Sequence, residues 1–241
     1  MVLFQLDIAR FVTIYIAQGI VFVIFLLIVY LILKRDKKWL NWCFSGTYLS
    51  VCVGLFLNFI YAPLTDPNIV LILYFFTVYF FGYGIIFLVV FEFIVLKSEK
   101  IITRKKQLTI FIAYAAVLFC MIFFLFIPNA GIKIDAETSW RPVYYAPFYI
   151  YFMAVQVIMG QGPAMYLSFQ IYKRFEDPKL KKKWKFYIIG TIELIAFMDI
   201  LFTANFLNDP TLRTIVGVLG LIFSISGGYL MYFGVGRQIE K

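Results

Sequence analysis

The chain has 241 residues, 63% of them hydrophobic, 21% aromatic and only 15% charged, with a net charge of +9. Soluble domains carry roughly 25% charged residues, and a water-facing surface of this size has too little polar cover for so much apolar side chain. A soluble globular domain is excluded, and the composition predicts an all-α integral membrane protein, a multi-pass protein of the cell membrane.

A spanning helix needs about 20 mainly apolar residues. Runs of that kind predict seven spans, near 11–33, 40–61, 69–96, 108–127, 143–172, 186–207 and 212–234. The segment before the first, Met1–Arg10, lacks the basic start, short apolar core and small-residue site of a cleavable signal peptide. The first connector carries Lys34, Arg35, Lys37 and Lys38, and the second, around Pro63 and Pro67, carries no base. The third holds Lys97, Lys100, Arg104, Lys105 and Lys106; the fourth, 128–142, holds only Lys133 and Arg141. Connector five is the most basic, with Lys173, Arg174, Lys179, Lys181, Lys182, Lys183 and Lys185. Arg213 follows the sixth connector, and the tail adds Arg237 and Lys241.

All but four of the 22 basic residues (Arg10, Lys133, Arg141 and Arg213) therefore fall on one side. Basic residues gather on the cytoplasmic side of a membrane, so the amino terminus is expected outside and the carboxyl terminus in the cytoplasm. The positive charge is then a topology signal with some attraction to anionic lipid, and no nucleic-acid partner is needed to explain it. Trp39, Trp42 and Trp184 fall at expected cytoplasmic interfaces and Trp140 at the outer one, where an indole ring is favoured. Cys43, Cys52 and Cys120 lie in apolar runs without metal-ligand spacing and read as small packing residues.

No Lys or Arg lies deep in a span, but three acids do: Glu92, Glu193 and Asp199. An ionised group in hydrocarbon costs several kcal/mol unless it is paired, protonated or hydrated. Glu92, five residues before Lys97, is placed to snorkel toward the cytoplasmic interface. Glu193 and Asp199 straddle the middle of the sixth span and, six residues apart, point in different directions. Asp199 has Thr203 one turn away and Asn205 nearby; Gln156 and Gln161 in the fifth span and Ser224 in the seventh add polar groups at similar depth. Each hydroxyl or amide singly is better suited to interhelical glue than to a ligand or cation site, and their concentration in spans five to seven suggests a polar cavity there. Gly160, Gly162 and Pro163 mark a kink or hinge. Gly220, Ser224 and Gly228, every fourth residue of the seventh span, form a packing stripe.

The chain contains no histidine. That removes histidine-ligated haem, histidine-based zinc hydrolysis and Ser-His or Cys-His triads, and no phosphate-binding or dinucleotide fingerprint is present. No mid-span lysine is available for a retinal Schiff base. The expectation is a protein that is not an enzyme and uses neither cofactor nor metal.

Phe81-Gly82-Tyr83-Gly84, followed by Phe91-Glu92-Phe93 and the basic third connector, resembles the seven-helix sensor region at the amino terminus of some prokaryotic histidine kinases. The resemblance implies detection of a ligand or membrane state and a signal passed inward. The chain departs from that pattern in having no kinase module before Lys241, which implies a stand-alone sensor acting on a separate effector. The Asp-Arg-Tyr signature of rhodopsin-like receptors is absent from the third span.

The leading expectation is a receptor-like sensor that binds a small ligand, cation or lipid in its bundle. Arg104, Lys105, Lys106, Lys181, Lys182 and Lys183 would then face a cytoplasmic effector or lipid. The rivals are a proton- or cation-coupled transporter using Asp199 and Glu193, and a non-catalytic subunit of a larger membrane complex.

Overall fold

The structure, a computed structural model, describes residues 8–236; Arg237 and Lys241 of the basic tail lie outside the described residues. Six helices are long and apolar enough to cross a membrane: α1 (Val12–Arg35), α2 (Trp39–Tyr61), α3 (Pro67–Lys97), α4 (Arg104–Phe126), α6 (Pro178–Leu207) and α7 (Pro210–Val235). Between α4 and α6 runs α5, an α-helix Ala146–Val155, a π-helix Gln156–Gln161 and an α-helix Gly162–Arg174 in unbroken succession. None of the three pieces alone has the length of a span, and the composite run stands where the fifth span was expected.

Three helix starts follow from one local rule. Asp66, Asp177 and Asp209 each precede a proline, and their side chains cap α3, α6 and α7. Asp66 accepts from the amides of Asn68 and Ile69, Asp177 from Lys179 and Asp209 from Leu212. The carboxylate meets amides that have no intrahelical partner, and proline at the first helical position loses nothing by lacking an N–H. Asn208, in the left-handed region at φ 53°, turns the chain between α6 and α7.

Several expectations are corrected. The fold is not purely helical: Ile132–Lys133 (β1) pairs antiparallel with Val143–Tyr144 (β2), Ile132 opposite Tyr144. The fifth helical run thus begins at Ala146 rather than 143, because Val143 and Tyr144 are used in the ribbon. α6 begins at Pro178, so the basic stretch through Lys185 is helical. Trp184 is not an interfacial anchor but a core residue, 2% exposed, with its ring against Phe91 and Tyr187. Cys43 and Cys52 are buried, whereas Cys120 is exposed.

The outward faces are apolar. Phe126 and Ile158 are 78% and 71% exposed, a cost in water that disappears against lipid. Inside, α2 packs along α3 and α6 along α7. The α6–α7 approach is set by glycine: a Cβ on Gly190 would lie 2.4 Å from Gly227 O and 2.8 Å from Met231 N. The stripe foreseen in α7 does pack, though against phenyl rings, with Gly220 under Phe197 and Gly228 under Phe25.

Gly190→Leu is expected to destabilise the protein by about 2 kcal/mol, as for overpacked cores, read as a lowered unfolding temperature in mild detergent. Gly217→Ala, where a Cβ meets nothing within 4 Å, should leave that temperature unchanged apart from helix propensity.

Candidate functional site

A cavity of about 290 Å³ opens among α1, α2, α3, α5, α6 and α7, near the lower end of ligand-pocket sizes, roughly 300 Å³. Its wall on α7 runs from Arg213 to Ser224, about 16 Å at the helical rise. Most of the wall is apolar, supplied by residues such as Val21, Phe25, Leu55, Phe81 and Phe202. Polar groups occur at two levels: Gln156, Gln161 and Asp199 along its length, and Asn205, Arg213 and Arg141 at the end poor in basic residues.

Of the residues singled out in sequence, Asp199, Gln156, Gln161, Asn205 and Ser224 line this cavity. Gln161 Nε2 donates to Asp199 Oδ1 at 2.7 Å. Gln156 Nε2 donates to Gly82 O at 3.1 Å and to the Tyr114 hydroxyl at 2.8 Å, and Tyr114 in turn donates to Gly82 O at 3.0 Å. Gly82 must be glycine for this arrangement, because a Cβ there would fall 2.5 Å from Gln156 Nε2.

The π-helix explains why two glutamines five residues apart meet one cavity. In a π turn the amide bonds to the carbonyl five residues back, as Gly162 N–H does to Val157 O, so residues at that spacing stack on one face. An ordinary α-helix would rotate Gln156 and Gln161 well apart. Gly160, Gly162 and Pro163 serve this turn. Gly160 fits against Ile85, and a Cβ on Gly162 would meet Val157 O at 2.7 Å. Pro163 stands in the first turn of the following α-helix, where its missing N–H costs little.

Two candidates are not brought to the cavity. Glu193 is turned to α7, where Ser226 Oγ lies 2.6 Å from its Oε2. Thr203 donates to the main-chain carbonyl of Asp199 at 2.7 Å and lies 2.8 Å from the Tyr149 hydroxyl, so it joins α6 to α5 rather than completing a site around the carboxyl group.

Glu92 does not snorkel. It is 0% exposed, with Oε1 accepting from Ser168 Oγ at 2.5 Å and from the Tyr187 hydroxyl at 2.8 Å. Its Oε2 is buried without a partner among the described residues. Trp184 Nε1 donates to Ser168 O at 2.9 Å, which ties the indole to the serine that holds the acid. This cluster joins α3, α5 and α6 at the end of the bundle rich in basic residues. Sequence reading missed it because Ser168 and Tyr187 are distant in the chain. It also counted Arg141 and Arg213 only as topology markers, although two bases on an otherwise base-poor side were a signal for a site.

The expected basic surface is partly committed to the protein itself. Arg104 lies 6.0 Å from the Trp39 ring, Lys181 lies 5.1 Å from the Tyr172 ring, and Lys106 donates to Ile101 O. Lys105 and Lys182 are exposed and Lys183 is half-buried.

Glu92→Gln keeps an oxygen for both hydroxyls and should hold stability within about 1 kcal/mol, whereas Glu92→Leu leaves Ser168 and Tyr187 unpaired and should cost about 1–3 kcal/mol for each buried group. Thermal unfolding of the two variants side by side checks the difference.

No protein-family model, no curated protein and no solved structure matches this chain.

Proposed function

We propose that the chain is a receptor-like sensor of the cell membrane, with seven crossings, the amino terminus outside and the carboxyl terminus in the cytoplasm. The crossing added to the six long helices, fifth in chain order, is the composite α5, whose run 146–174 extends about 43 Å at the helical rise, enough for a hydrocarbon core of ~30 Å. Basic residues alternate from side to side in step with seven crossings.

The observation that carries the sensor reading is the cavity together with the element it shares with the Glu92 cluster. Asp199 lines the cavity and Tyr187 holds Glu92, and both stand on α6. α5 contributes likewise, with Gln156 and Gln161 at the cavity and Ser168 at the cluster. A ligand that moves α5 or α6 at one level changes the hydrogen bonds at the other, which is how binding energy biases a two-state bundle. The exposed Lys105 and Lys182, in the basic connectors, present positive charge to an acidic partner or to anionic lipid.

The test uses the full chain in phosphatidylcholine nanodiscs, screened for small molecules that raise its unfolding temperature. A stabilising ligand is expected to alter hydrogen exchange in residues 178–191, around Trp184 and Tyr187. Ligands that bind without changing exchange there would sink the sensor reading.

One observation favours a second reading. Asp199 lies on the cavity wall and forms no ion pair among the described residues, and an acid facing a cavity within a span is the kind of group that marks an ion pathway. Proton or Na⁺ flux into proteoliposomes that disappears in Asp199→Asn would support transport; flux unchanged in that variant would remove Asp199 from any such role.

A further inference from the structure

We propose that the base-poor end of the cavity binds the head of an anionic amphiphile, a carboxylate or phosphate monoester on a single apolar body, held by Arg213 and Arg141. This names the ligand class of the sensor cavity, and so rests on that reading.

Arg213 stands in the first turn of α7 and is half-buried at the cavity wall. Its Nη2 donates to Pro142 O at 2.6 Å and lies 3.5 Å from Asn205 O. Its Nε is buried with no hydrogen-bond partner. A guanidinium N–H left without an acceptor away from water is costly, and an acceptor brought by a ligand removes that cost. Arg141 lines the same cavity and lies close enough to Arg213 for the two charges to interact. Two guanidinium groups facing one cavity repel each other, and an anion between them relieves that repulsion.

Among the described residues the chain's own acids at this end are occupied. Asp66 and Asp209 cap α3 and α7, and Asp135 and Glu137 both lie against Lys133. Among the described residues neither Arg141 nor Arg213 makes an ion pair. Guanidinium is the side chain best matched to carboxylate and phosphate, through paired N–H donors.

The remainder of the cavity defines the rest of the ligand. Below the arginines most of the wall is aliphatic and aromatic, from Val216 and Leu221 on α7 to Val21 and Phe25 on α1, with Gln156, Gln161 and Asp199 among them. Asp199 does not meet the anionic head, because it is six residues deeper on α6 than Asn205, about 9 Å at the helical rise. At about 290 Å³ the space suits one short apolar chain rather than a two-tailed lipid.

The test measures binding to the full chain in phosphatidylcholine nanodiscs with decanoate, decyl phosphate, decanol and inorganic phosphate. Decanoate and decyl phosphate are expected to bind, with decanol at least tenfold weaker and inorganic phosphate not detected. Arg213→Gln should weaken decanoate at least tenfold and Arg213→Lys less. Arg141 is exposed, so Arg141→Gln is expected to fold; it should weaken decanoate severalfold and carries the test if Arg213→Gln fails to fold. Decanol binding as tightly as decanoate, or decanoate indifferent to both arginines, would overturn the proposal. So would inorganic phosphate binding as well as decyl phosphate. Phosphatidic acid in the nanodisc should not displace decanoate; displacement would assign the head to a bilayer lipid and overturn the single-chain ligand. Hydrogen exchange in residues 178–191 separates the two readings. Arginine-dependent binding with no change there upholds the anion site and defeats the sensor. A change there produced equally by decanol, and equally in Arg213→Gln, upholds the sensor and defeats the anion site.

Discussion

A carboxyl group surrounded by hydrocarbon must find its hydrogen bonds inside the protein, and this chain meets that requirement three times with uncharged donors. Glu92 takes two hydroxyls, Asp199 a carboxamide and Glu193 a serine. In each case a donor comes from another helix, so each acid is also a crosslink. Glu92 joins α3 to α5 and α6, Asp199 joins α6 to α5, and Glu193 joins α6 to α7. α6 takes part in all three. The polar content that makes this bundle expensive to bury is also what fixes the mutual rotation of its helices.

The same economy explains the π turn. A regular helix through 156–161 would present only one glutamine to the cavity. The wider turn presents both, Gln156 tying α5 to Gly82 of α3 and Gln161 tying it to Asp199 of α6. A local backbone irregularity thus meets two tertiary demands at once, which is where π turns tend to be found.

What the sequence disclosed was whatever depends on neighbours in the chain. Apolar runs located the six long helices, and the glycines and proline around Gln161 marked a disturbance in the fifth run. What it withheld depends on which face meets which. Glu92 looked like an interfacial acid because Lys97 is near in sequence, yet the residues that hold it are 76 and 95 positions away. Thr203 shares a helix face with Asp199, but its hydroxyl is spent on a main-chain carbonyl. Trp184 had the position of a membrane-interface tryptophan, and the packing of Phe91 and Tyr187 around it drew it inside. The β-ribbon of four residues was too short to leave any periodic trace.

The glycine contact between α6 and α7 has a mechanical consequence. Helices separated by large side chains can slide a little as rotamers change, because the side chains act as bearings. Gly190 and Gly227 leave no such layer: a single added methyl group would collide with main-chain atoms of the opposite helix. The two helices are therefore constrained to travel as one lever. A shift of one helix at Gly227 or Gly190 is met by main chain of the other rather than by a rotamer.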